Sequence, residues 1–157
     1  MSLDPTIREA NFRDSIIKHF VDNVESALSI PVLFDRELIT PKIQGREVDT
    51  WCAVYFGGME IDSVTKHQIT FNSCSKMDNE GFKLAQTRDK IMGTFFDPSY
   101  PNNVIPTILY RSYPAPTEWA IIARMLPYLI WESGINKAED GTKFKSSLIE
   151  FRWGAKG

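Results

Sequence analysis

The first part of the chain has the hydrophobic pattern of an amphipathic helix. Between Asp4 and Leu28, apolar residues recur every four positions and charged residues occupy much of the remaining surface; the apolar positions are Phe12, Ile16, Phe20, Val24 and Leu28. This spacing lines one face of an α-helix. Asp4 and Pro5 suit its start, since the N–H that proline lacks would be unpaired there. We predict a helix over residues 4–28 that packs one face on a sheet.

Beyond Pro31 the pattern changes to that of β-strands. The apolar run from Ile30 to Phe34 contains Pro31, which restricts it to a strand start or a sheet edge. Thr50–Phe56 is aromatic and β-branched, which predicts a buried strand that Gly57 and Gly58 end in a turn. Val64–Cys74 alternates polar and apolar residues, as a half-exposed strand does. The short connection predicts an antiparallel hairpin that turns near residues 60–61.

A second helix is predicted from residue 78 or 79 to Thr94. Its expected buried positions are Phe82, Ala85, Ile91, Met92 and Phe95. The remaining side, which includes Lys83, Arg88 and Lys90, is expected to face water. A proline-rich loop follows at Asp97–Asn103, and then a strand at Val104–Tyr110 that Pro106 interrupts.

The apolar segment Trp119–Trp131 has two interpretations. It is either a buried helix kinked at Pro127 or one long strand bulged there, and its aromatic and β-branched content favours the strand. A polar loop at 135–142 precedes a closing strand with alternating Ile149, Phe151 and Trp153. The whole pattern predicts a single α+β domain over residues 1–157, a mostly antiparallel β-sheet with two α-helices packed on one face.

Charge and cysteine content narrow the classes of function. Eighteen basic and twenty acidic residues give a net charge of -2, which argues against a nucleic-acid binder. The longest apolar run, Trp119–Trp131, is shorter than the ~20 residues that cross a bilayer, and no secretory signal opens the chain. We therefore expect a soluble protein of a reducing cytoplasm. The predicted hairpin sets Cys52 opposite Ile69, roughly 17 Å from Cys74, so no disulfide is expected.

Residues that could carry catalysis are few. His19 and His67 lack partners at a metal-binding spacing, and no Gly-x-Ser-x-Gly nucleophile motif occurs. No helix pattern follows Gly57 and Gly58, as a phosphate-binding loop would require. We predict no catalytic residue, no cofactor and no metal. A small α+β hydrolase or ligand-binding domain, whose site forms only in three dimensions, remains the alternative.

Two sets of residues are candidates for protein–protein contact. Tyr100 and Tyr113 lie beside prolines in loops, where aromatic side chains bury much area at low entropic cost. Lys83, Arg88 and Lys90 form the nearest approach to a basic cluster. That cluster is either a solvated helix face or an electrostatic contact with a partner subunit.

The order of these elements resembles a family of phage proteins. The likeness is carried by Ile7–Leu28, Thr50–Phe56, Ile69–Lys76 leading into Phe82–Phe95, and Leu148–Trp153. In size and element order the chain is similar to the tail terminator (tail-completion) proteins of long-tailed bacteriophages and to related small neck and head–tail joining proteins. The resemblance spans most of the chain and rests on no single motif.

This resemblance implies a structural virion protein without enzymatic activity, located in the tail or neck and assembled in the host cytoplasm. Its subunits would form a homo-oligomeric ring, typically of six, which requires heterologous interfaces that close. The ring would cap the tail tube protein and present a surface to the head–tail connector protein, with no cofactor, membrane or specific nucleic acid involved. We expect its subunits to meet through the loops of Tyr100 and Tyr113, not through the first helix.

Overall fold

The structure, a computed structural model, describes residues 9–35, 42–43, 46–47, 49–61, 64–78, 80–111, 120–138 and 141–154. Its α-helices are α1 (Glu9–Phe20) and α2 (Phe82–Met92). The strands are β1 (Val32–Phe34), β2 (Lys42–Ile43), β3 (Arg46–Glu47), β4 (Thr50–Glu60), β5 (Val64–Ser75), β6 (Thr107–Arg111), β7 (Ala120–Glu132), β8 (Asn136–Lys137) and β9 (Lys143–Gly154).

The predicted first helix is present, and its winding changes partway. After α1 the chain continues as a π-helical segment, Val21–Ser26, and Phe12, Ile16, Phe20 and Val24 are fully buried. A four-residue spacing drifts by about 40° per step around an α-helix, and the wider π turn takes back part of this drift. Val24 therefore stays on the buried face. Asp4 and Pro5 lie outside the described residues.

The fold is α+β, and its main sheet is curled into a half-barrel. The strand order is β1-β4-β5-β9-β7-β6, and β8 pairs with β9, while β2 and β3 form a separate pair. Neighbours are antiparallel except β1 and β4, which are parallel. The prediction of a plain, mostly antiparallel sheet was therefore incomplete, because a parallel edge strand and the curl were not foreseen. The expected edge position of residues 30–34 is confirmed by β1.

The β4–β5 hairpin is confirmed, but its predicted register and turn were wrong. β4 continues through Gly57 and Gly58 to Glu60, with a bulge between Phe56 and Met59. A Cβ at Gly57 would lie 3.0 Å from the Gln68 carbonyl oxygen, so a side chain at this strand position would require the neighbouring backbone to shift. Strand β4 runs as far as Glu60, where the turn was predicted to begin, and the observed register differs from the predicted one by four residues.

The corrected register changes the relation between the two cysteines. Cys52 pairs with Ser73, and Trp51 pairs with Cys74. The two thiols are therefore close along the sheet, not roughly 17 Å apart. Since neighbouring strand residues point to opposite faces, Cys52 and Cys74 lie on opposite faces of the sheet, and both are free.

Helix α2 is confirmed, although its buried face was predicted in part wrongly. Ile91 and Met92 are buried as expected, but Leu84 and Thr87 complete that face while Phe82 is 67% exposed. Ala85 is exposed as well. The Asp78 carboxylate accepts the Leu84 N–H at 2.9 Å and the Ser75 hydroxyl at 3.0 Å, which anchors the first turn with Leu84 towards the sheet.

The second half of the chain follows the predicted strands. The segment 120–132 is the strand β7 and not a helix, but its bulge lies between Leu129 and Trp131 instead of at Pro127. Strand β6 begins directly after Pro106, and the preceding loop holds a 3₁₀ turn at Pro101–Asn103. Trp119 lies outside the described residues.

The core lies between the two helices and the concave face of the sheet. Phe12 of α1 packs against Phe56 and Phe151, and Phe20 packs against Phe71 and Phe95. The half-barrel thus wraps around α1.

The sheet edge at β6 is held against α1 by one hydroxyl. The backbone N–H of Tyr110 donates to Ser15 Oγ at 2.8 Å, and the Ser15 hydroxyl donates to the Asn11 carbonyl at 2.7 Å. The edge amide of Tyr110 is therefore satisfied by a helix side chain.

Candidate functional site

Strand β7 carries six large apolar side chains that are exposed to solvent, Ile121 and Leu129 among them, and the other four form one group. Leu126, Tyr128, Ile130 and Trp131 are 41%, 37%, 46% and 56% exposed. We call these four residues the β7 patch. An exposed group of this kind marks a contact surface more often than scattered single residues do.

The register of β7 against β9 explains the direction of these side chains. Leu126 pairs with Arg152 and Tyr128 with Glu150, on the convex face away from the helices. The bulge then leaves Ile130 unpaired and sets Trp131 opposite Leu148. Without the extra residue, alternation would turn Trp131 inward. The bulge therefore puts a tryptophan on the outer face.

The same bulge turns Glu132 inward, where it joins α2 to the sheet. Arg88 Nε donates to Glu132 Oε2 at 2.8 Å and Arg88 Nη2 to Oε1 at 3.0 Å. The Ser147 hydroxyl donates to Oε2 at 2.9 Å, and Lys145 Nζ lies 3.7 Å from Oε1. Burial by itself raises the pKa of Glu132, but the hydrogen bonds from Arg88 and Ser147 hold that pKa below its usual value.

Two arginine side chains lie beside the patch on the outer face. The Arg152 guanidinium lies 4.3 Å from the centre of the Tyr128 ring and donates to Glu150. A shallow concavity of about 590 Å³ adjoins Leu126 and Tyr128. Arg124, two residues before Leu126, is exposed, and it shares the outer face because side chains alternate along a strand. The outer face thus combines the aromatic and aliphatic side chains of the patch with the arginines beside it.

A polar cleft of about 440 Å³ lies between α1, the residues after α2 and the β6 edge. In it, His19 Nε2 is 3.0 Å from Thr94 Oγ1, which donates its own proton to the Ile91 carbonyl at 2.7 Å. Nε2–H is therefore the donor to Thr94, and Nδ1 faces the Asn23 amide at 3.4 Å. Burial lowers the pKa of His19 to about 4. This neutral histidine does not activate the Thr94 hydroxyl.

The other histidine is part of the core. His67 is fully buried and stacks on Phe12 with ring centres 3.8 Å apart. Its Nε2–H donates to the Gly57 carbonyl at 3.2 Å, and burial lowers its pKa. Within the described part of the chain, no three histidine, cysteine, aspartate or glutamate side chains gather as metal ligands.

The predicted contact residues that the structure describes do not lie on one surface. Tyr100 is 42% exposed at the cleft beside α1, and Tyr113 lies outside the described residues. Lys83 pairs with Asp49 at 3.7 Å, and Lys90 is exposed. Arg88 was expected to face water, but its side chain is partly buried and bound to Glu132.

Sequence reasoning missed the β7 patch. The signal was present in the run Leu126–Trp131, which is more apolar than a half-exposed strand requires. Its faces could not be assigned without the position of the bulge.

Comparison with known proteins gives the fold alone. No protein-family model matches the chain, and no curated protein matches it. A solved structure is similar over 93% of this chain and 95% of its own, with a TM-score of 0.58 and 8% sequence identity. Among the described residues, no helix is both long enough and apolar enough to span a membrane.

Proposed function

We propose that this chain is a non-enzymatic structural subunit that assembles with copies of itself into a ring. The ring is of the phage tail-terminator kind, which caps the tail tube and joins it to the head connector. The observation that carries the proposal is the β7 patch, because its four apolar side chains face solvent on the outside of the sheet. The resemblance in element order supplies the phage context.

The size of the patch supports self-association. Taking typical side-chain areas, the four residues expose roughly 400 Å² of mostly apolar surface, comparable with the largest patch on an ordinary monomer. One partner in a stable interface contributes about 800 Å². The patch thus provides about half of the area that one partner contributes, and neighbouring polar residues such as Arg152 would form the rim of the interface.

The chemistry of the polar cleft supports a structural role over a hydrolytic one. His19 is neutral, and its Nε2–H is used on Thr94, whose proton is itself committed to a backbone carbonyl. A hydrolase would need a base that accepts a proton from the nucleophile. His67 is fully buried against the Phe12 ring, and its Nε2–H is used on the Gly57 carbonyl.

The test compares the oligomeric state of three forms by sedimentation velocity and electron microscopy. The native chain should form rings at high concentration, and Trp131→Ala should weaken association at least about tenfold, as truncating a central aromatic does. Ile61→Ala is the matched control, since Ile61 is 58% exposed at the hairpin tip outside the patch. Equal association of all three forms would contradict the assignment.

A second arm tests the phage role in infected cells. Trp131→Ala should yield tails of uncontrolled length or unjoined heads. Tyr100→Ala separates the β7 patch from the loop surface predicted from sequence. If Trp131→Ala gives normal particles and Tyr100→Ala gives defective ones, the contact surface is the loop of Tyr100 and not the β7 patch.

A further inference from the structure

A second apolar surface lies on the outer side of α2. Phe82 is 67% exposed, and Ile135 is 55% exposed beside the start of the helix, with its Cδ1 against Gly81. Leu84 faces the sheet, and Phe82 lies about 200° from it around the helix. Phe82 therefore points away from the sheet. We call Phe82, Ala85, Asp89 and Ile135 the α2 surface.

The two surfaces lie on opposite layers of the subunit. The bond from Arg88 to Glu132 fixes α2 on the concave face of the sheet, whereas the β7 patch is on the convex face. A two-fold dimer joins one surface to its own copy. A closed ring joins two different surfaces of each subunit, which is the arrangement this chain presents.

The side chains that would meet are spaced similarly along the two surfaces. Along β7, Arg124 and Tyr128 are four residues apart, about 13 Å, and Leu126 lies midway on the same face. Along α2, Phe82 and Asp89 are seven residues apart, about 10.5 Å, on one side of the helix, with the small Ala85 between them. With Phe82 against Tyr128, Leu126 lies over Ala85 and the Arg124 side chain reaches Asp89.

Opposite charges also face each other in this alignment. The Asp89 side chain is 70% exposed and accepts a hydrogen bond from Arg88 of its own chain at 3.0 Å, and Arg124 is exposed beside the corresponding end of the β7 patch. Opposite charges at the rim of an apolar contact fix its register and disfavour the reversed pairing.

We infer that the β7 patch of one copy packs on the α2 surface of the next copy, with Phe82 against Tyr128 and Arg124 paired with Asp89. This assignment rests on the proposed function, because it identifies the two contacting surfaces of the proposed ring. The occupant of each surface is a second copy of this chain.

The test mixes two variants that each lose one surface. Phe82→Glu and Trp131→Glu should each be monomeric alone, while an equimolar mixture should form a dimer and nothing larger, since one intact copy of each surface remains. Circular dichroism checks that each variant folds. A mixture that stays monomeric, or a Phe82→Glu chain that assembles normally, overturns the inference.

Exchanging the charges of Asp89 and Arg124 provides a second test that does not depend on the apolar variants. Asp89→Arg should weaken association at least about fivefold, and adding Arg124→Asp in the same chain should restore most of it, as expected for a coupled pair. No restoration by the double variant overturns the Arg124–Asp89 pairing.

Failure of the inference is distinguishable from failure of the proposed function. A native chain that is monomeric at its highest soluble concentration contradicts self-assembly itself. A native chain that assembles while the mixed variants do not complement contradicts only the pairing of the two surfaces.

Discussion

The partly buried imidazole of His19 predicts that the fold loses stability in mild acid. Its ring stacks on Phe95 at 4.5 Å, and Nε2 bonds to Thr94 in the polar cleft, so that protonation would place a charge on a ring that is largely withdrawn from water. Burial lowers its pKa from 6.5 to about 4, against a weaker opposing effect from Asp22. The neutral form is therefore the one that the folded chain favours.

The sign and size of this change in stability follow from the linkage between protonation and folding. Above pH 6.5 the imidazole is neutral in both states, and the full stability is present. As pH falls from 6.5 towards 4, the unfolded chain takes up a proton that the folded chain does not, and stability is lost. The loss attributable to His19 is about 2 kcal/mol by pH 5 and about 3 kcal/mol in total.

The assay is urea unfolding between pH 7 and pH 5, a range chosen to lie above the titration of most carboxylates. His19→Gln keeps an amide donor in place of Nε2–H and does not titrate, so it is the matched variant. Its unfolding free energy should vary much less than that of the native chain. The change that remains is assigned to His67, whose pKa burial also lowers. A native chain with equal stability at both pH values, or a variant with the same slope, would refute the reasoning.

Three further predictions concern the parts that hold the fold together. Glu132→Gln should destabilise the fold by about 1–3 kcal/mol in urea unfolding, because Arg88 then keeps its partly buried charge with only the exposed Asp89 carboxylate as partner; an unchanged midpoint would contradict this. Asp78→Ala should cost about 1 kcal/mol in the same assay through loss of the helix cap, and Asp78→Asn should cost less. Thiol titration should count Cys52 and Cys74 as free in the unreduced, denatured chain, and fewer than two thiols would contradict this. Both should be unreactive in the native chain, since burial raises the pKa of Cys74 to about 12 and that of Cys52 well above its usual value.

The sequence predicted those elements whose two faces differ in polarity. Helix α1 and strands β5 and β9 each bury one face, so their apolar residues repeat with the period of the element. Strand β7 was assigned on its aromatic and β-branched content alone, and the structure confirms it. Its outer face carries large apolar residues in place of polar ones, which blurs the alternation.

Features that depend on distant contacts could not be predicted in this way. Strand β4 continues through Gly57 instead of turning there, which moves the hairpin register, and nothing local distinguishes this glycine from one in a turn. The orientation of α2 follows from the Asp78 cap and from the bond between Arg88 and Glu132. That bond exists because the bulge near Ile130 turns Glu132 inward, and the same bulge exposes Trp131.

The hydroxyl that holds the β6 edge bears on how assembly errors are corrected. Because Ser15 Oγ accepts the Tyr110 N–H, a foreign strand cannot pair at this position without first breaking that bond. In the proposed ring, contacts between copies at this edge would be made by side chains and not by an extended backbone ladder. Contacts of this kind dissociate readily, so a misplaced subunit would leave and rebind before the ring is complete.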